Sequence, residues 1–349
     1  MDKARLGVIG CGYWGPNLIR NFAELSRSSL VAVADLSDKR LDYIRTRYPE
    51  AITTQDYRQF FNLSLDGVIV ATPPPTHFAI ASECLEHDLH VLVEKPLALS
   101  SAEAQTLVQL ARSHQRTLMV GHTFTYNPAV RALKQIIDSG ELGRILYIDS
   151  VRLNLGLYQR GLNVVWDLAP HDVSIIRYLL EREPISVSAT GMDCIFKGAY
   201  DVAHLHLNFD DQITAHIHVS WLDPCKVRRT TVVGDRKMAV YDDVEPLEKI
   251  RIYDKGVEKP PYTDNYVDFQ LSYRYGNMVV PYLQLTEPLK IECEHFIECI
   301  LGVAETWSDG IDGLQVVRTL ESAQRSLENG GTQQVIEAQQ EIDFEHHHV

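Results

Sequence analysis

A doubly wound α/β domain followed by an α+β domain with a large, mainly antiparallel open sheet is the architecture this sequence predicts. Three observations carry that expectation. Roughly the first 120 residues alternate short β-branched runs with amphipathic stretches, the pattern of parallel strands joined by helices. After about residue 145 mostly consecutive strand-like runs follow one another through short turns, the pattern of an antiparallel sheet. A chain of 349 residues is also long for a single core, so two domains are the natural reading.

In order along the chain, "LGVIG", "LVAVAD", "GVIVAT", "HVLVEK" and "TLMVGH" read as strands. Their apolar runs do not alternate, as suits strands buried on both faces. Between them "PNLIRNFAEL", "KRLDYIRTRY", "HFAIASECLEH" and "SAEAQTLVQLARSH" read as helices, and "NPAVRALKQIIDSG" as a further helix closed by Gly140. The strand runs "ILYIDSVRLN", "ISVSATGM", "VAHLHLNF", "ITAHIHVSW", "VRRTTVVG" and "KMAVYDD" follow. Residues 255–283, rich in Tyr and Pro without clean periodicity, read as a long loop or arm. Two helices, about 287–303 and 311–328, end the fold. From Thr332 the chain is polar and acidic and ends in "HHHV", the signature of a disordered or added tail. The expected division is 1–122, 123–330 and a tail of 331–349.

Composition narrows the function. A net charge of −14 opposes general nucleic-acid binding, which needs a basic footprint. No apolar run is long enough to cross a bilayer, and the N-terminal one is too short for a signal peptide. Six scattered cysteines without a CxxC pair read as free thiols of a reducing cytoplasm.

"GVIGCGYWGPNL" sets Gly10, Gly12 and Gly15 in a GxGxxG pattern after a strand and before a helix. Such glycines make the turn, admit a pyrophosphate to the backbone and let helix and strand pack closely. The alternative, glycines needed only for a tight turn, loses ground to the context, because the second strand ends in Asp35, placed for an adenosine ribose diol. The first domain is therefore a Rossmann dinucleotide-binding unit, with Tyr13 and Trp14 inside the loop. A carboxylate at Asp35 would repel a 2′-phosphate, which favours NAD over NADP, although Lys39 and Arg40 lie close. Thr72 and Pro73, in the "ATPPPTH" that ends the fourth strand, border the expected cofactor path. Thr76 is placed to cap the next helix, and His77 reads as a helix-start residue at the same rim.

"HVLVEKPLALS" puts Glu94 and Lys95 at the end of the fifth strand, where ligands of such sheets bind. Lys95 there could polarise a substrate oxygen; the bland alternative is a solvated lysine. In "WDLAPHD" Pro170 marks a helix start, and Asp167 and His171 sit four residues apart within reach of each other. A capped helix, a metal site and a proton-transfer pair all fit that stretch taken alone. Asp172 is either a helix N-terminus stabiliser or a substrate contact.

The glycine loop, "EKP" and the D-x-x-x-H-D of residues 167–172, in that order, resemble the Gfo/Idh/MocA oxidoreductases over nearly the whole chain. "GCGYWGPNLIRNF", "VGHTFTYNPAV", "NVVWDLAPHD" and "VSWLDP" are similar to the UDP-N-acetylglucosamine and UDP-N-acetylglucosaminuronate 3-dehydrogenase subgroup of surface-polysaccharide synthesis. The resemblance implies a nicotinamide cofactor, Lys95 and His171 as the catalytic pair with Asp167 in support, and a homo-oligomer, dimer or tetramer, assembled through the open sheet. The chemistry is coherent by itself. Oxidising a secondary alcohol requires a base for the hydroxyl proton, and a histidine that titrates near neutrality suits it. Asp167 could orient His171, and Lys95 could stabilise the alkoxide. The alternatives are a 3-ketosugar reductase, an inositol or free-sugar dehydrogenase, and a noncatalytic dinucleotide-sensing or scaffold protein.

Arg152, Asn154 and Arg160 are candidates for a substrate carboxylate or phosphate, with cross-strand salt bridges as the competing reading. Tyr126 and Asn127 are expected to bound the nicotinamide side of the cleft. His204, His206, His216 and His218 form two HxH pairs on consecutive strands. With a hairpin at Asp210, Asp211 and Gln212, His206 faces His216 and His204 faces His218, a set that could bind zinc or line a polar or subunit-contacting face. No metal is expected, since hydride transfer needs none.

Overall fold

The computed structural model describes residues 3–156, 158, 161–258 and 272–337. β1 (Ala4–Ile9), α1 (Gly15–Glu24), β2 (Ser28–Ala34), α2 (Asp38–Arg47) and β3 (Ile52–Thr54) begin the chain. β4 (Gly67–Val70), α3 (His77–Glu86), β5 (His90–Glu94), α4 (Ser101–Ser113) and β6 (Leu118–Gly121) complete an all-parallel sheet. Its order is β3-β2-β1-β4-β5-β6. Val8, Val33, Val68, Ile69 and Val91 are wholly buried, because helices cover both faces. The chain reverses direction across the sheet between β1 and β4, which opens a crevice at their carboxyl ends. β3 was not expected: "ITT" is too short to show any period.

Then come α5 (Pro128–Asp138), β7 (Ile145–Leu155), α6 (Val164–Leu180), β8 (Ser186–Met192), β9 (Val202–Asn208), β10 (Thr214–Ser220), β11 (Leu222–Gly234) and β12 (Met238–Asp242). β13 (Ile250–Glu258), β14 (Ser272–Val279), α7 (Pro288–Ile300), α8 (Gly310–Glu328) and β15 (Gln334–Val335) follow. The second sheet has nine strands in the order β14-β13-β12-β11-β7-β10-β9-β8-β15. All its pairings are antiparallel except β7 with β10.

Three expectations need correction. Residues 255–258 and 272–279 of the expected arm are strands β13 and β14, an outer pair of the sheet whose Tyr273 and Tyr275 stay exposed and so carry no apolar alternation; 259–271 lie outside the described residues. Residues 334–335 of the expected tail pair with β8, and 338–349 lie outside the description. Pro170 does not start a helix. Asn163 does, its side chain accepting from the N–H groups of Val165 and Trp166 at 3.0 and 3.3 Å. Pro170 lies well inside α6. A proline there costs about 3 kcal/mol, and the helix tolerates it because Val164, Val165, Ala169, Val173, Ile175, Ile176 and Leu179 are all buried. Each of the larger ones contributes roughly 1.5–3 kcal/mol.

The last two helices return to the first domain. α7 packs on α1, Phe296 meeting Phe22 edge-on at 6.3 Å with both rings fully buried. Glu287 accepts from Arg20 and Asn21. α8 lies against α4 on one side and against α6 and β8 on the other.

Candidate active site

The glycine loop passes a steric test for a dinucleotide. Gly10 has φ +101°, and a Cβ there would fall 2.6 Å from the Ala71 carbonyl oxygen. A Cβ on Gly15 would collide with the Gly10 carbonyl oxygen, whereas one on Gly12 would meet nothing within 4 Å. Two glycines are thus demanded by the fold, and the third leaves free space where backbone meets solvent at the start of α1. Tyr13 is 85% exposed beside that opening. Asp35 closes the far side: its Oδ2 accepts from Cys11 N at 2.6 Å and its Oδ1 from Ser37 N at 2.8 Å. Arg40 approaches the same carboxylate at 3.4 Å.

His77, expected at the cofactor rim, is wholly buried and starts α3. Its Nδ1 lies 2.8 Å from the Pro96 carbonyl oxygen and its Nε2 2.8 Å from that of Thr72. It ties together the loops that follow β4 and β5 rather than facing a ligand. Burial holds its imidazole below the ordinary histidine range. Thr76 does not cap α3 with its side chain; its hydroxyl is taken by Thr72 Oγ1 and the Pro73 carbonyl.

Lys95, just past β5, reaches across to α6. Its Nζ donates to the Asp167 backbone carbonyl at 2.7 Å and to Asp167 Oδ1 at 3.2 Å. The other carboxylate oxygen, Oδ2, accepts from Trp221 Nε1 at 3.1 Å. An ammonium has three donors, so among the described residues one remains for a third oxygen. Asp167 is therefore the partner of Lys95, and among the described residues it makes no hydrogen bond to His171, contrary to the orienting role expected for it. His171 packs edge-on against Phe124, ring centroids 5.1 Å apart, and its buried Nδ1 has no hydrogen-bond partner among the described residues. Burial first, then the charges of Lys95, Arg152 and Arg228, hold its pKa well below 6.5. It does not titrate near neutrality as expected; it stays a neutral imidazole with an acceptor lone pair.

Three of the other expected contacts, Arg152, Tyr126 and Asn127, are committed elsewhere. Arg152 is buried and forks onto Asp172, Nε to Oδ2 at 2.7 Å and Nη2 to Oδ1 at 3.2 Å, with its guanidinium 4.5 Å over Phe124. Ser150 donates to the same Asp172 carboxylate at 2.8 Å. Separating a buried pair of this kind costs about 3–5 kcal/mol, so Arg152 and Asp172 brace α6 against β7. Tyr126 is fully buried; its hydroxyl lies 3.1 Å from both His295 Nδ1 and Ser308 Oγ, away from the cleft. Asn127 caps α5 and donates to Tyr241. Asn154 is half-buried near the end of β7. Arg160 lies outside the described residues.

The cross-strand register of the four histidines is as expected, His206 opposite His216 and His204 opposite His218. The His204 and His218 rings stack at 4.0 Å. Among the described residues no group of three or more His, Cys, Asp or Glu could hold a metal ion. No helix among them is long and apolar enough to cross a membrane.

Residues 4–122 match the family model described as the oxidoreductase family, NAD-binding Rossmann fold, and residues 130–240 match the GFO/IDH/MocA C-terminal domain. The chain belongs to the Gfo/Idh/MocA family. It is similar to UDP-N-acetylglucosamine 3-dehydrogenase of Acidithiobacillus ferrooxidans, 26% identical over 91% of this chain and 95% of that one. The solved structure of that enzyme superposes with a TM-score of 0.80 over 94% and 99% of the two chains, at 23% identity. It is also similar to inositol 2-dehydrogenase of Rhizobium meliloti, 25% identical over 93% and 96%. A solved oxidoreductase structure from Magnetospirillum magnetotacticum shares 30% identity and a TM-score of 0.78 over 92% and 99%. The protein is an oxidoreductase with an NAD-binding Rossmann domain, and the glycine cradle fits that cofactor.

Two acidic side chains extend the site. Burial pushes the Glu94 carboxyl up to about 7. Glu292 of α7, also buried, is pushed well above the usual range by burial and by Glu94, with Oε2 accepting from Thr123 and Oε1 without a partner among the described residues. Glu292 was missed, although it recurs at helical spacing with Leu289 and Phe296 on the apolar face of α7, and an acid on such a face is a readable signal. Trp221 stood in "VSWLDP" with no role attached.

Proposed function

We propose that this family member is an NAD-dependent dehydrogenase that oxidises a secondary alcohol of a sugar, most plainly C3 of a UDP-N-acetylhexosamine or its uronate. The observation that carries the reading is the placement of a lysine ammonium with one unused donor beside a histidine held neutral. His171 takes the hydroxyl proton, and Lys95 holds the oxygen as negative charge develops on it. Asp167 keeps Lys95 in place. What NAD supplies when bound is acceptance of the carbinol hydride. Gly10, Gly12, Gly15, Asp35, Thr72, Pro73 and Glu94 line its path, with Tyr13 and Trp14 at the loop, and the Asp35 carboxylate supports NAD over NADP. We assign the domains as 1–122 and 123–330, with α7 and α8 of the second bracing the first. A cytoplasmic homo-oligomer joined through the nine-stranded sheet, serving polysaccharide synthesis, completes the proposal.

A second reading, oxidation of an inositol or free sugar, is favoured by the commitment of Arg152 to Asp172, which removes one anchor for a diphosphate. Adding NAD with UDP- and dTDP-sugars, inositols and free hexoses, and following reduced nicotinamide by absorbance, separates the two. Turnover confined to the nucleotide sugars supports the first reading and turnover confined to inositols the second. Inertness towards all, with NAD bound, would point to a noncatalytic dinucleotide sensor.

A further inference from the structure

The Asp167 carboxylate has two oxygens and two different donors. Lys95 takes Oδ1 together with the backbone carbonyl of the same residue, while Trp221 takes Oδ2. The terminal torsion of an aspartate is broad, and a lysine stem is among the least ordered side chains. Neither would hold the other in one geometry unaided. The indole is the rigid member. Trp221 is 1% exposed, its indole N–H can only donate, and its backbone is pinned at both ends. Trp221 N donates to the Asp201 carbonyl at 2.9 Å, and Gly156 N donates to the Trp221 carbonyl at 3.0 Å. A Cβ on Gly156 would come within 2.6 Å of Trp221 Cδ1, so glycine lets the ring approach the backbone just past β7, and Tyr158 packs on it with ring centroids 5.0 Å apart.

We propose that Trp221 is a positioning residue, whose indole N–H fixes the Asp167 carboxylate so that Oδ1 and the adjoining carbonyl hold Lys95 with one donor aimed into the cleft. The inference rests on Lys95 as the reacting cation, but its tests need no substrate, so a failure of the functional reading leaves them interpretable. In the full-length protein with 15N-labelled tryptophan, four indole signals are expected, and Trp221→Phe identifies the one from Trp221. That signal should move in Asp167→Asn while the other three stay, because a neutral amide is a weaker acceptor than a carboxylate. Competitive acetylation at fixed pH, read by mass spectrometry, should show Lys95 labelled about threefold to tenfold faster in Trp221→Phe, the change that one hydrogen bond of ordinary net strength makes. The double variant Trp221→Phe/Asp167→Asn should match Asp167→Asn alone. An indole signal unmoved by Asp167→Asn, or Lys95 labelling unchanged in a folded Trp221→Phe that still binds NAD, overturns the proposal. If Trp221→Phe does not fold, the signal is assigned by elimination with phenylalanine variants of the other three tryptophans, and the Asp167→Asn spectrum decides.

Discussion

The two ends of the cleft are built on opposite plans. The cofactor end is local: Gly10, Gly12 and Gly15 act within one turn, and Asp35 reaches back to Cys11 N across a single βα unit. The chemical end is assembled from far apart, with Lys95 from just past β5, Asp167 and His171 from α6 and Trp221 from the link between β10 and β11. Local sites follow from backbone sterics, so residue type and spacing suffice to read them. Assembled sites depend on which side chains pair, and pairing is a tertiary fact.

The sharpest way to break this contrast is at His171 and Lys95. Alanine at either should lower turnover by about 10²- to 10⁴-fold, and His171→Ala should leave NAD affinity, measured by titration calorimetry, near the parent value. A parallel collapse of NAD binding would merge the two ends into one. Next in size is a pair at the loop. Gly10→Ala forces an L side chain to positive φ against the Ala71 carbonyl and should lose about 1–3 kcal/mol of stability by denaturant titration as well as NAD. Gly12→Ala meets only open space and should stay within about 0.5 kcal/mol of the parent while binding NAD more weakly. Equal stability losses in both would remove the distinction between fold-demanded and ligand-demanded glycines.

Glu94 gives a smaller effect with a defined sign. Its carboxyl keeps its proton up to about 7 in the fold but only to 4.5 as an ordinary glutamate. The folded state therefore binds the extra proton, and stability falls as pH rises through that window. Glu94→Gln should flatten this slope and be more stable than the parent above about 7, by roughly 1–3 kcal/mol in thermal or denaturant unfolding. An unchanged slope would show that the carboxyl is solvated. The least dramatic test is the acid limb of kcat/KM. Because His171 is held well below 6.5, protonation should not remove the base until well under the ordinary histidine range, and a limb centred at 6.5 would mean that the ring is wet.

Much of the architecture was legible because it is periodic or steric. The βα alternation, the carboxyl-end placement of Lys95, and the His206–His216 register all came from patterns of period 3.6 or 2 and from one short hairpin. What was not legible is where a tertiary partner overrode a local rule. Pro170 looked like a helix start until the buried face of α6 outweighed the missing N–H. Arg152 looked like an anion reader until Asp172, twenty residues away, took both sides of its fork. Tyr126 looked like a cleft residue, yet it turned inward to His295 and Ser308.

The return of α7 to α1 has a consequence for how the protein is made. The Arg20–Glu287 contact joins residues 267 positions apart, so the flank of the nucleotide-binding fold bearing Arg20 and Phe22 stays uncovered while most of the chain is still on the ribosome. At synthesis rates of 5–20 residues per second, that wait is roughly 13–50 s. The domain that emerges first is closed last, and during that interval its apolar flank is the surface a chaperone would meet.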